Sequence, residues 1–163
     1  MSTYYPKDFI KNTLIEEVKS IGSEHAYLSF ILLCSGIEFL GRCCDTSDTS
    51  WATNKPNGYH FKKGLNLFPS HYSRIKTKLY KELRCGMTHG LMPGGFKLTE
   101  QKNDPGGNLK YESHLKSDQS IIVWEFLYKD FVNACKKVIS TKFSGGDKMN
   151  KPFLYVGSVA MIN

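Results

Sequence analysis

The sequence lacks the short motifs that mark many nucleotide-dependent and hydrolytic enzymes. It has no Gly-x-Gly-x-x-Gly after a strand, no Gly-x4-Gly-Lys-Ser/Thr loop, no Gly-x-Ser-x-Gly and no His-Glu-x-x-His. Its 5 cysteines form an odd set without a Cys-x-x-Cys spacing, which predicts neither a disulfide framework nor a zinc site. We therefore expect no metal and no cofactor.

Long hydrophobic runs are also scarce. The longest, residues 26–41, contains Glu38, and we expect it to be too short and too polar to span a bilayer. The first residues lack the basic and then apolar pattern of a secretory signal. The expectation is a cytoplasmic chain without a membrane partner, whose 163 residues suffice for one domain with its own core.

Acidic residues are nearly absent from one segment. Residues 61–84 carry 7 basic side chains against the single acid Glu82, whereas residues 1–60 carry 5 basic and 7 acidic side chains. The net charge of +7 is therefore concentrated in a small part of the chain. A local excess of this kind favours an anionic partner, and nucleic acid is the leading candidate.

What the sequence does contain is helical periodicity. Apolar residues recur at helical spacing in residues 7–21, with Gly22 as the expected end of that helix. The next helix, about 23–43, is apolar nearly all round and should lie in the middle of a bundle. Further apolar stripes predict helices over about 71–89 and 119–142.

Non-helical segments connect and follow these helices. Two short alternating segments, 96–99 and 109–114, flank a cluster of turn residues and predict a β-hairpin. Residues 44–69 are polar and rich in Gly and Pro, which indicates a long loop that either gates a site or connects helices. An apolar segment within the tail, 153–162, is expected to dock as a strand on this chain or on a partner.

The predicted fold class is thus all-α. We expect a bundle of four to five helices over residues 1–143, with a small β-hairpin (about 95–115) inserted before the last long helix. Residues 144–163 form a C-terminal tail in this interpretation.

Three residues stand out as candidates for chemistry. Glu38 is the only charged residue within 26–41, on a helix that should be buried, so it either pairs with Arg84 or His89 or faces solvent at the bundle edge. Arg84 and His89 are five residues apart, about 140° around an ideal helix, and share a face only if the helix ends or distorts near Gly86 or Gly90. An arginine and a histidine that converge in this way can bind a phosphate and exchange a proton with it.

A basic surface adjoins these residues. Arg74, Lys78 and Lys81 are spaced at i, i+4 and i+7, which predicts one positive ridge on the third helix, although a solvated helix face would show the same spacing. The aromatic ring of Tyr80 could stack on bases. The candidate RNA-binding residues are Lys62, Lys63, Arg74, Lys78, Lys81 and Tyr80.

At Arg84-x4-His89 the sequence resembles the HEPN superfamily, helical domains marked by an Arg-x4-6-His motif near the end of a late helix. The likeness extends to organisation over residues 7–142, because a long apolar helix with an acidic residue, Glu38, precedes the motif helix and a further helix closes the bundle.

The resemblance implies a metal-independent endoribonuclease that acts as a homodimer, in settings that include toxins and phage defence. Arg84 would bind the scissile phosphate, His89 would act as general base or acid, and Glu38 would orient one of them. Cys85 departs from the family, whose active members often have a polar residue directly after the arginine. The alternative is a non-catalytic module of the same kind that binds RNA, a nucleotide or a cognate protein partner.

Overall fold

The chain forms a mostly helical fold, which agrees with the all-α prediction at that level. The computed structural model describes residues 2–47, 51, 55–100, 120–141 and 147–156. In chain order the elements are β1 (Ser2–Tyr4), α1 (Pro6–Phe9, Ile10–Glu17 and Val18–Glu24 in succession), α2 (Ala26–Cys43), α3 (Tyr59–Leu65), α4 (Ser70–Arg74), α5 (Lys76–Lys78, Leu79–Arg84 and Cys85–Gly90 in succession), β2 (Phe96–Thr99), β3 (Ser120–Val123), α6 (Trp124–Ser140), a 3₁₀ turn (Asp147–Asn150) and β4 (Leu154–Val156).

Helix α2 lies at the centre of the bundle, as its apolar composition predicts. It contacts α1, α3, α5 and α6. Phe30, Leu33, Ile37 and Leu40 are each at most 1% exposed and form the middle of the core. By length and composition alone, Ala26–Cys43 could cross a membrane, but half of it is buried inside the fold, and core helices of soluble proteins pass the same test.

Helix α1 continues past the glycine that was expected to end it. Gly22 is buried within the helix, and the Trp124 indole packs so closely on it that a Cβ would overlap the ring. The helix ends at Glu24, because His25 leaves the helical region with φ −135° and ψ 60°. Gly22 therefore serves close packing between α1 and α6, and the prediction of a stop there is wrong.

Two strands pair in parallel where a hairpin was predicted. The strand Phe96–Thr99 is present, but its partner is Ser120–Val123, in a register that joins Phe96 to Ser120 and Thr99 to Val123. A parallel pair needs a connection of about a dozen residues or more, and the sequence between these two strands is long enough for one. The described residues do not test the predicted hairpin, because its other proposed segment, 109–114, lies outside them.

The last long helix begins at Trp124, whereas the sequence predicted a start near 119. Ile121, Ile122 and Val123 are fully buried in β3. A short apolar run that is buried on both faces has no alternation to distinguish it from buried helix, while its β-branched side chains favour a strand.

The C-terminal segment packs on this chain. Leu154–Val156 pairs antiparallel with Ser2–Tyr4, which confirms for these residues that the tail docks as a strand. In the preceding turn, Met149 is 5% exposed and belongs to the core cluster. The remainder of the proposed docking segment, 157–162, lies outside the described residues.

Candidate functional site

Glu38 and Arg84 form an ion pair between α2 and α5. The Arg84 guanidinium donates a hydrogen bond from Nε to Oε2 of Glu38 at 3.0 Å, and its Nη2 atom lies 2.8 Å from the same oxygen. The Glu38 side chain is 21% exposed and the Arg84 side chain is 25% exposed, so the pair lies at the edge of the core and is open to solvent on one side. Burial lowers the pKa of Arg84, but Glu38 outweighs this effect and raises it above its ordinary value. The prediction that Glu38 is paired with Arg84 is confirmed.

A π-helical segment, Leu79–Arg84, positions this arginine. In such a segment the backbone bonds run from residue i to i+5, which widens the turn, and π-bulges are frequent at functional sites. Leu79 and Leu83 are at most 2% exposed and anchor the segment in the core. Tyr80 projects beside Arg84, with the Arg84 Cζ atom 6.0 Å from the ring centroid.

An open crevice of about 360 Å³ borders the ion pair. On α2, Ser35, Glu38, Phe39 and Arg42 are spaced at i, i+3, i+4 and i+7, so they share one helix face. The crevice is lined by Ser35, Glu38, Phe39, Arg42, Trp51, Arg84 and Phe153. It therefore combines two guanidinium groups, one carboxylate and three aromatic rings.

The aromatic wall of this crevice joins distant parts of the chain. The rings of Phe39 and Trp51 stack with centroids 5.5 Å apart, and Phe153 lies 5.0 Å from Phe39. Arg42 donates from Nη1 to the Trp51 carbonyl oxygen at 3.3 Å, which fixes its direction. We therefore regard the crevice as a formed site whose walls come from α2, α5 and the C-terminal segment.

His89 does not line this crevice. It is exposed on the last turn of α5, and the helix is regular α from Cys85 to Gly90. The distortion of α5 precedes Arg84 and does not fall between the two residues, so their separation around the axis is retained. Gly86 does not loosen the helix, whereas the helix ends at Gly90, one residue after His89. Leu91 follows with a φ of 54°, and its carbonyl oxygen accepts a hydrogen bond from Tyr27.

The candidate RNA-binding residues fall on three helices. Lys62 and Lys63 lie on α3, Arg74 ends α4, and α5 carries the others. Ile75, with φ −117° and ψ 16°, interrupts the helix directly after Arg74. The prediction of one ridge on a continuous helix over 71–89 is therefore wrong.

The α5 members of this set have different surroundings. Lys78 lies with Nζ 3.9 Å from Glu82 and 5.3 Å from the centroid of the Phe96 ring. Lys81 is exposed. Tyr80 is partly buried, and burial, assisted by the Cys85 thiol, raises the pKa of its hydroxyl.

A buried polar cluster was not predicted. Asp45 is fully buried and accepts hydrogen bonds from Lys63 Nζ at 2.9 Å and from Ser47 Oγ at 2.7 Å, while its second oxygen lies 3.2 Å from His60 Nε2. The ammonium of Lys148, 4% exposed, donates to the Asp45 carbonyl oxygen at 2.8 Å. Burial raises the pKa of Asp45, but the hydrogen bonds outweigh it and hold that pKa well below its usual range.

Among the described residues, no group of three or more His, Cys, Asp or Glu side chains is placed to hold a metal ion. Comparison of the chain with protein-family models, with curated proteins and with solved structures finds no significant match. The arguments about function therefore depend on the geometry of this chain.

Proposed function

We propose that the protein is a metal-independent endoribonuclease of HEPN type that acts as a homodimer. The observation that carries the proposal is the Glu38–Arg84 pair, which holds a guanidinium at the edge of an open crevice. Glu38 engages two of the five N–H donors of that guanidinium, so others are left for a phosphate. Glu38 is a positioning residue in this scheme.

The reaction needs no group beyond the RNA and these side chains. His89 takes the proton of a ribose 2′-hydroxyl, and the oxygen attacks the adjacent phosphorus. The bond to the 5′-oxygen then breaks as that oxygen takes the proton back from the imidazolium of His89. The products are a 2′,3′-cyclic phosphate and a 5′-hydroxyl. Arg84 stabilises the charge that develops on the phosphate oxygens.

Two copies of the chain would bring Arg84 and His89 together. Within one chain His89 lies outside the crevice, whereas large apolar side chains are exposed close to it in sequence: Leu91 is 54% and Met92 is 70% exposed. Tyr27, whose hydroxyl donates to the Leu91 carbonyl oxygen, is 46% exposed on the same side. Exposed apolar surface of this kind favours a protein contact, and a second copy would cover it.

Two observations favour the non-catalytic alternative. The charge of Arg84 is already compensated by Glu38, and Cys85 follows where active HEPN proteins often have a polar residue. A module with this geometry would bind RNA through its basic surface and leave it intact.

The experiment that separates these functions is an RNA cleavage assay in EDTA, with structured and unstructured substrates. We expect Arg84→Ala and His89→Ala each to lower the cleavage rate by at least about 100-fold, because each removes a group that acts on the reacting atoms. His25→Ala, at another exposed histidine, is the matched control and should cleave normally. Binding without cleavage, unaltered by His89→Ala, would contradict the enzyme and support the alternative.

A further inference from the structure

A second crevice, which we call the lysine crevice, lies against α3 and the start of α5. Its volume is about 350 Å³, and it is lined by Tyr59, Lys62, Lys63, Asn66 and Lys76. None of the described residues that line it is acidic. Three ammonium groups around one cavity repel one another, and an anion bound between them reduces this repulsion. The cavity therefore favours a negatively charged ligand.

Neighbouring groups fix the direction of two of these lysines. Lys63 donates to buried Asp45 at 2.9 Å and to the Tyr59 hydroxyl at 3.4 Å. Lys62 lies with Nζ 5.5 Å from the centroid of the Tyr80 ring. Because Asp45 compensates the charge of Lys63, the net positive charge of the crevice comes from Lys62 and Lys76.

Tyr80 connects this crevice to the Glu38–Arg84 site. The ring has Lys62 Nζ at 5.5 Å and Arg84 Cζ at 6.0 Å from its centroid, so both cations lie within reach of the same aromatic surface. The backbone of Gly58 packs against the ring and supports it from α3's N-terminal side. A flexible polyanion bound at Arg84 can thus continue past Tyr80 to the lysines. The described residues that line the lysine crevice present no acidic side chain to it.

We propose that the lysine crevice binds a second phosphodiester of the single RNA strand whose scissile phosphate lies at Arg84. This inference rests on the proposed function for the identity of the strand. It assigns Lys62 and Lys76 as the contacts to that second phosphate, with Lys63 as a fixed wall, and it places Tyr80 between the two phosphates. The bound substrate is then a strand with at least two phosphates, engaged at two separate points.

The test measures binding in isolation from cleavage. The probe is a 12-nucleotide single-stranded RNA with 2′-O-methyl groups on every ribose, which cannot react through a 2′-hydroxyl, and its affinity is measured by fluorescence anisotropy at several salt concentrations. The variants are Lys62→Gln, Lys76→Gln and the two combined. Lys129→Gln and Lys136→Gln, both exposed on α6, are the matched controls for loss of one charge. Lys63 is not substituted because that would leave Asp45 buried without its ammonium partner.

We expect the double variant to reduce the slope of log affinity against log salt by about 0.7, since it loses the contacts to one phosphate and each neutralised phosphate of a single strand contributes about 0.7. On the same relation its affinity at 0.1 M salt falls by about 5-fold. The control variants should bind like the unaltered protein, and all variants should keep the same urea midpoint.

A dinucleotide with one phosphate provides the second arm. It can occupy only one of the two points, so its binding should depend on Arg84 but not on Lys62 or Lys76. Equal slopes for the double variant and the controls would overturn the inference. A dinucleotide whose affinity falls in the Lys62 and Lys76 variants as much as in the Arg84 variant would overturn it too. The proposed cleavage fails by a different result, intact unmodified RNA in EDTA, which leaves these binding data standing.

Discussion

At the scale of single residues, the buried charges show how this chain satisfies groups that are costly to bury. Asp45 is fully buried, and Lys63, Ser47 and His60 supply polar partners for both of its carboxylate oxygens. Glu38 pairs with Arg84 and keeps contact with solvent. The Asp45 cluster therefore belongs to the core, whereas the Glu38–Arg84 pair is left accessible to a ligand.

His60 makes this cluster sensitive to pH. Burial, with a contribution from Arg42, lowers the pKa of His60, while the hydrogen bond with Asp45 opposes the shift without cancelling it. Below pH about 6.5 this histidine takes up a proton more readily in the unfolded chain than in the folded chain. The folded state must therefore lose stability as the pH falls from 7 to 5, with a contribution from His60 of up to about 1.4 kcal/mol per pH unit.

The variant His60→Gln removes this titration and keeps a side-chain N–H donor for Asp45. We expect its free energy of unfolding in urea to change less between pH 7 and 5 than that of the unaltered protein. His25→Gln, at an exposed position, should retain the full pH dependence. Asp45 does not interfere, because its depressed pKa places the loss of its stabilisation below pH about 4. Equal pH dependence in the His60 variant and the unaltered protein would refute this assignment.

At the scale of elements, the long helices α1, α2, α5 and α6 could be predicted from the sequence. The short helix α3, within the expected loop 44–69, and the irregularities of the long helices could not. Apolar periodicity is enough to locate α2, whose buried side chains follow helical spacing along its whole length. The π-helical segments Ile10–Glu17 and Leu79–Arg84 have no such signal, because i→i+5 bonding is set by packing against neighbouring helices. The spacing that buries Ile10, Leu14 and Val18 does not extend to Ile21, which is 37% exposed.

The same distinction applies to the candidate site. Pairing of Glu38 with Arg84 was one of the alternatives that the sequence offered, because a carboxylate on an apolar helix requires a cation or solvent. The contact between Lys148 and Asp45 joins residues 103 positions apart in the sequence. No local pattern marks either partner, since each lies outside the long helices where periodicity carries information. Long-range polar contacts of this kind are determined by the packing of the whole chain.

The packing of α2 on α3 depends on glycine at the point of closest approach. A Cβ at Gly41 would overlap the carbonyl oxygen of His60, and one at Gly64 would overlap that of Ile37. Both obstacles are backbone atoms, which cannot rotate away. We expect Gly41→Ala to lower the free energy of unfolding by about 3 kcal/mol, the upper end of the usual cost of overpacking.

Gly90 is the matched control for this substitution. It lies in the last turn of α5, and apart from its own helix backbone and chain neighbours, no atom of the described residues lies within 4 Å of the position a Cβ would take. Gly90→Ala should leave the free energy of unfolding unchanged or raise it by up to about 1 kcal/mol, since alanine is the better helix former. Urea unfolding followed by circular dichroism measures both. Equal stability of the two variants would mean that the α2–α3 contact can accommodate a Cβ at Gly41, which would contradict this explanation.

At the scale of the whole molecule, charge and exposed apolar surface lie on different parts of the fold. Lys62 of the lysine crevice and Arg84 both lie near the Tyr80 ring, at 5.5 and 6.0 Å from its centroid, whereas Leu91 and Met92 extend beyond the C-terminal end of α5. In the proposed dimer the basic surfaces bind the strand and the apolar ends meet, which would bring His89 of one copy near Arg84 of the other. The catalytic unit is then the pair of chains, and no single chain contains a complete site.

This arrangement predicts that two inactive variants restore each other. A homodimer of Arg84→Ala lacks both arginines of the composite site, and a homodimer of His89→Ala lacks both histidines, but a mixed dimer keeps one of each. After unfolding and refolding an equal mixture, random association makes about half of the dimers mixed. Cleavage in EDTA should therefore reappear in the mixture, because Arg84 of one copy and His89 of the other again face one phosphate.

The control mixes His89→Ala with the double variant Arg84→Ala/His89→Ala, which supplies no histidine and should stay inactive. Capture through a tag on one variant shows whether mixed dimers form, and mixed dimers without cleavage would mean that Arg84 and His89 do not share a site across the two copies.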